Sequence, residues 1–118
     1  MKTLKFVPEL CELILTGEKT ATWRLFDDKD LSEGDEVEFL NNKTLQSIGV
    51  ATLTSVTLKP IRSMAPGDMV GHEPYESLDE LVATFQAFYG DGVSLDTEVK
   101  IIHFVFIPKP PRNWKKIK

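Results

Sequence analysis

The run Glu98-Val99-Lys100-Ile101-Ile102-His103-Phe104-Val105-Phe106-Ile107-Pro108 constrains the fold of this chain most. Its β-branched and aromatic residues specify a strand. Its consecutive apolar residues call for burial on both faces over part of that strand, where simple alternation would bury one face. A second long strand is predicted over residues 47–58, in which Gly49 marks a bulge or bend of the kind that curves a sheet into a barrel. Shorter strands are predicted over 4–7, 20–25 and 36–40. Two segments instead show the helical period. Pro8 suits a first helical position, and Leu10, Leu13 and Ile14 then recur on one face, predicting a helix over 8–16. Leu78, Leu81, Val82, Phe85 and Phe88 form an apolar stripe behind Ser77, which with Glu80 has the spacing of a capping box. Phe85, Phe88 and Tyr89 are accordingly expected in the core, not as an exposed stacking platform. The order β, α, β, β, β, α, β predicts an α+β domain, a curved and mostly antiparallel sheet covered by two helices.

At 118 residues and 42% apolar, the chain is expected to form one domain over 1–108 with a core that needs no disulfide or metal. The single Cys11 suits a reducing compartment and reads as a small buried hydrophobe. No apolar run approaches the roughly 20 residues of a membrane span, and the strand-like N-terminus is unlike a signal peptide. A soluble, cytoplasmic, monomeric protein with no membrane partner is expected. The net charge of −4 argues against coating nucleic acid with the whole surface, yet it hides an asymmetry. All 18 acidic side chains precede residue 109, whereas five of the 14 basic ones (Lys109, Arg112, Lys115, Lys116 and Lys118) fall in the last ten residues. Residues 109–118 therefore read as a basic C-terminal tail, in which Trp114 offers a ring for stacking among cations that hold phosphates. No glycine-rich phosphate loop, CxxC pair or HExxH motif is present, and two histidines with one cysteine make a poor metal set. No cofactor is expected.

The chemistry-bearing segment is Gly17-Glu18-Lys19-Thr20-Ala21-Thr22-Trp23-Arg24. Gly17 fits the left-handed position after a helix end, so Lys19 lies where helix gives way to strand. Strict alternation would put Thr20, Thr22 and Arg24 on one face and Lys19, Ala21 and Trp23 on the other. Lys19 can then reach Thr22 only by preceding regular strand pairing. Arg24 has an ion pair in the acidic loop 26–35 as its ordinary alternative, Trp23 shares the parity of core Ala21, and His103 reads as a satisfied strand residue.

These residues carry a family resemblance. Gly17, Lys19 and Arg24 match a G-x-K-x-x-x-x-R motif. With Glu33-Gly34-Asp35 before a strand, and Gly71-His72-Glu73 ahead of Ser77-Leu78-Asp79-Glu80-Leu81, the chain to about residue 108 resembles the ASCH domain. The resemblance implies a PUA-like curved β-barrel with two covering helices, and a cleft that takes RNA or a modified nucleoside. Gly17, Thr20, Arg24 and His72 are the corresponding ligand-contact candidates, and Trp114 of the basic tail, outside the resemblance, is a further one. One branch of the family hydrolyses N4-acetylcytidine with a lysine, a threonine three residues later and a glutamate. The first two match Lys19 as base and Thr22 as nucleophile. The glutamate position falls on Pro74, and a one-residue gap brings Glu73 there, with Glu76 a poorer substitute.

Overall fold

The computed structural model describes residues 1–109. In chain order it contains β1 (Lys2–Phe6), α1 (Pro8–Thr16), β2 (Ala21–Arg24), β3 (Glu36–Asn41), β4 (Ser47–Pro60), two short 3-10 turns (Ile61–Ser63 and Pro66–Met69), α2 (Leu78–Tyr89) and β5 (Glu98–Pro108). The strands form one curled half-barrel sheet in the order β1-β3-β4-β5-β2. Pairing is antiparallel except between β1 and β3, which run parallel. The sheet is thus mixed, and the first two strands are its two edges.

β5 occupies the interior of the sheet, paired to β4 along its whole length and to β2 over four residues. Its apolar run is explained by this position. Ile102 and Phe104 join a core with α1 that includes Leu4, Phe6, Ile14, Val37, Phe39 and Leu53. Val99 and Ile101, of opposite parity, join a second core with α2 that includes Trp23, Ile61, Leu81, Phe85 and Val93. Both faces are buried until the strand passes beyond its covers at Val105 and Ile107, which are exposed.

The curl is built into β4. Phe39 pairs with Gly49 and Leu40 with Ser47, leaving Ile48 as an extra residue. A Cβ at Gly49 would run into the Ile107 carbonyl and the Phe106 ring. A second irregularity pairs Leu53 with Phe104 and Ser55 with His103, skipping Thr54. Two such bulges bend and twist one long strand enough to bring the sheet's edges toward each other. β1 and β2 do not pair. The seam between them is bridged by side chains: Arg24 Nη2 donates to the Lys5 carbonyl at 3.1 Å, and Lys29 Nζ donates to the Thr3 carbonyl at 2.8 Å.

Ser77 caps α2 as its position predicts, its Oγ accepting the Glu80 N–H at 3.1 Å. The return half of the box lands one residue early, with Glu80 Oε2 accepting from the Glu76 N–H. Cys11 is buried, its thiol against the Phe6 carbonyl, and burial pushes its pKa up, as for a small core hydrophobe. No helix among the described residues is long and apolar enough to cross a membrane. Trp114 and tail residues 110–118 lie outside the described residues.

Candidate functional site

The site is built where α1 hands over to β2. Gly17 adopts φ +84°, and its N–H bonds the Ile14 carbonyl, ending the helix in the left-handed conformation its sequence position calls for. The Lys19 N–H turns back to the Leu13 carbonyl at 3.0 Å. Because β2 begins only at Ala21, Lys19 escapes the strand's alternation. It points inward and is only 3% exposed, and Thr22 is 4% exposed.

A second segment is hung on the same junction. The Gly71 carbonyl accepts the N–H groups of both Thr20 and Ala21, at 2.9 and 3.0 Å. Gly71 lies at φ +79°, and a Cβ there would collide with Thr20 Oγ1. The close approach brings the next two residues over Lys19. Glu73 Oε2 accepts from Lys19 Nζ at 2.7 Å. His72 lies flat on Trp23, with ring centroids 3.8 Å apart and planes within 6°, and Tyr75 continues the stack on Trp23 at 5.7 Å.

Burial lowers the Lys19 pKa, and its bond to Glu73 resists that shift. For Glu73, burial acts upward, but the Lys19 hydrogen bond and the nearby charges leave its pKa below the ordinary carboxylate value. His72 is pushed down to about 4 by burial and by the neighbouring Lys19 charge, so it is neutral at pH 7. Its Nδ1 lies 2.9 Å from the Glu73 carbonyl, which requires Nδ1 to carry the proton and leaves Nε2 as an acceptor. Arg24 does not take its ordinary alternative, an ion pair in the acidic loop. Among the described residues it forms no ion pair. Its guanidinium sits 4.9 Å from the Phe6 ring centroid and bonds only the Lys5 carbonyl. Asp27 instead pairs with Lys100 at 2.8 Å.

These groups line one cleft of about 660 Å³ at the open seam of the sheet, within the roughly 300–1,000 Å³ usual for small-ligand sites. Lys19, Thr22, Arg24, His72 and Glu73 all border it. Gly17 and Thr20 do not; they border a smaller groove of about 360 Å³ between the end of α1 and β5, with Lys19 standing between the two. Glu76 stays outside both. Among the described residues Lys19 bonds Glu73 and makes no hydrogen bond to Thr22. Trp23 lies in the α2 core, as its parity predicts, while also forming a cleft wall.

The aromatic expectation for α2 needs correction. Phe85 is buried, but Phe88 is 75% and Tyr89 38% exposed. The last turn of α2 borders the cleft instead of the sheet, so the stripe outruns its cover. Tyr75 was not singled out from the sequence, although its place just after His72-Glu73 was the available signal. No group of three or more His, Cys, Asp or Glu side chains is placed to hold a metal ion among the described residues.

A curled mixed sheet covered by two helices, with its cleft at the seam, defines a PUA-like α+β fold. More particularly it is the fold of ASCH domains. The chain superimposes on the ASCH domain from Lactobacillus crispatus with a TM-score of 0.69 and 18% identity, over 92% of this chain and 81% of that one. It matches ASCH from Zymomonas mobilis with a TM-score of 0.67 and 14% identity, over 98% and 75%. A protein of the DUF984 family from Enterococcus faecalis gives 0.69 and 19%, over 85% and 71%. At these identities the likeness is one of fold. No family model matches the sequence, and no curated protein matches it.

Proposed function

We propose that the cleft binds RNA or a modified nucleoside through Lys19, Thr22, Arg24 and Glu73. The observation that carries this reading is the Lys19–Glu73 pair set beside the His72, Trp23 and Tyr75 rings. A donor and an acceptor held side by side complement the edge of a base, and flat rings next to them suit its face. The neutral His72 adds an acceptor at Nε2. Arg24, free of any ion pair among the described residues, supplies a cation for a phosphate.

A second reading is an amidohydrolase that deacetylates N4-acetylcytidine or a related acylated nucleoside. The observation favouring it is that Lys19 and Thr22 are buried together at one cleft, with the Lys19 pKa lowered by that burial. A lysine base must be neutral, and here Lys19 is the charged partner of Glu73. One proton moving along their 2.7 Å hydrogen bond supplies both groups the reaction needs. Lys19 then takes the Thr22 hydroxyl proton as Oγ1 attacks the acetyl carbonyl. Glu73, now protonated, gives its proton to N4 as the C–N bond breaks. Water hydrolyses the resulting acetyl-threonine ester, releasing acetate.

Calorimetric titration with N4-acetylcytidine and with short single-stranded RNA, alongside chromatographic assay of N4-acetylcytidine turnover, tests both readings. Binding without turnover supports the first. Turnover that disappears in Thr22→Val and Lys19→Ala supports the second. Neither binding nor turnover in the wild type overturns both.

A further inference from the structure

We infer that Phe26, Tyr89 and Phe88 form a second subsite that stacks the base of a neighbouring nucleotide. The ligand of the cleft is then a single-stranded RNA segment with at least one phosphodiester, in place of a free nucleoside. This deepens the nucleic-acid reading of the cleft and rests on it.

Three observations converge. First, the rings are exposed where the fold gives them no reason to be. Phe26 and Phe88 are 66% and 75% exposed, and Tyr89, which borders the cleft, holds the Phe26 ring edge-on with centroids 5.9 Å apart. Large exposed apolar groups gathered at the rim of a cleft mark a contact surface.

Second, Phe26 is held there against its backbone preference. It adopts φ +52°, a region that a bulky L-residue rarely enters. The next residue locks the loop: Asp27 accepts from the N–H groups of Lys29 and Leu31 and from Lys100 Nζ. Lys100 also bonds the Leu31 carbonyl at 3.0 Å. A segment fastened this firmly, yet presenting an aromatic ring to solvent, points to use of that ring.

Third, Arg24 provides the charge that such a ligand needs and a free nucleoside does not. It is two residues before Phe26 and borders the same cleft. Its Nη2 bonds a neutral backbone carbonyl and its Nε is buried without a partner, so no carboxylate among the described residues neutralises it. In the proposed mode one base sits in the cleft, a phosphate on Arg24 and the next base on the rim.

The test compares ribonucleosides, including N4-acetylcytidine, with single-stranded trinucleotides of the same bases. The wild type should bind a trinucleotide at least tenfold tighter than its nucleoside. Phe88→Ala and Phe26→Ala should each weaken trinucleotide binding by roughly 5- to 150-fold, the range found when a base-stacking ring is removed. Nucleoside binding should stay within about twofold in Phe26→Ala, since Phe26, unlike Phe88, does not line the cleft that holds Lys19 and Glu73. Circular dichroism verifies that the variants fold, and both positions are exposed. Nucleoside binding with no gain for trinucleotides, or no effect of either substitution, overturns the rim subsite and leaves the cleft reading standing. If neither ligand class binds, both fail. A self-association seen by sedimentation and abolished by Phe88→Ala, with trinucleotide affinity unchanged, assigns the rim to a second copy and overturns the proposal.

Discussion

Lys19 Nζ lies 2.7 Å from Glu73 Oε2, joining residues 54 apart in the sequence. The two ends of this pair are not equivalent: the lysine side chain is 2% exposed and the glutamate 35%. Loss of the glutamate strands a charge with no access to water, whereas loss of the lysine leaves a carboxylate able to rehydrate. The pair is therefore a directional dependence of α1–β2 on the 71–75 segment.

Glu73→Gln should destabilise the fold by about 1–3 kcal/mol, below the cost of breaking a fully buried pair because Glu73 is partly solvated. Lys19→Met should cost less. Combining Lys19→Met with Glu73→Gln should recover much of the loss, because no buried charge remains. Urea titrations of the four proteins measure this cycle. Equal stability of Glu73→Gln and wild type would contradict the account.

The acid sensitivity of the fold should pass through His72. Its pKa is about 4 in the folded state against 6.5 for the ordinary group, so the unfolded chain takes up the proton first as pH falls. Stability therefore declines from about pH 6.5 toward pH 4, by roughly 3 kcal/mol. Glu73, whose pKa is lowered from 4.5, adds a further loss below that value as it is protonated. His72→Phe keeps a flat ring on Trp23 but cannot titrate. Its unfolding free energy should be flatter between pH 6.5 and 4.5, and an unchanged slope would remove His72 from the explanation.

Much of this was legible in local pattern. Gly17 marked the helix end, Gly49 the bulge, Ser77 the cap, and the apolar run of β5 its burial on both faces, because each is set by a backbone or burial requirement of a few residues. The placement of Lys19 before the strand was legible as a condition, and β2 starting at Ala21 meets it. The parallel pairing of β1 with β3 was not legible, since strand order depends on contacts far apart in sequence. Nor was the hydrogen bond of Lys19 to Glu73 legible in local pattern; only the family resemblance set the two in one site, and the contact comes from across a 54-residue interval through the Gly71 carbonyl. Phe88 misled because its helical spacing matches Phe85, and spacing does not show where the covering sheet stops.

Gly71→Ala should damage the site more than its distance from Lys19 Nζ suggests. The added Cβ enters a left-handed position and meets Thr20 Oγ1, so the segment must lift from β2. The two hydrogen bonds to Thr20 and Ala21 then lengthen, and His72 and Glu73 move with them. A stability loss of roughly 1–3 kcal/mol is expected from strain of this kind. The His72 pKa, followed by NMR, should rise toward 6.5 as its burial is relieved. A fully stable Gly71→Ala protein with an unshifted His72 would show that the carbonyl contact does not set the site.

Arg24 separates a structural from a ligand-binding role. It spans the unpaired seam between β1 and β2, touching Lys5 and the face of Phe6, and this alone gives it some structural value. Because it has no ion-pair partner among the described residues, Arg24→Leu strands no opposite charge, and a stability change within about 1 kcal/mol is expected. Binding should respond differently. If the guanidinium neutralises one phosphate of a single strand, its removal lowers the slope of log affinity against log salt by about 0.7, together with a loss of affinity. Arg24→Lys should retain most of the salt slope but recover only part of the affinity, since an ammonium has neither the planar fork nor the stacking on Phe6. A large stability loss with an unchanged salt slope would make Arg24 a clasp of the seam and nothing more.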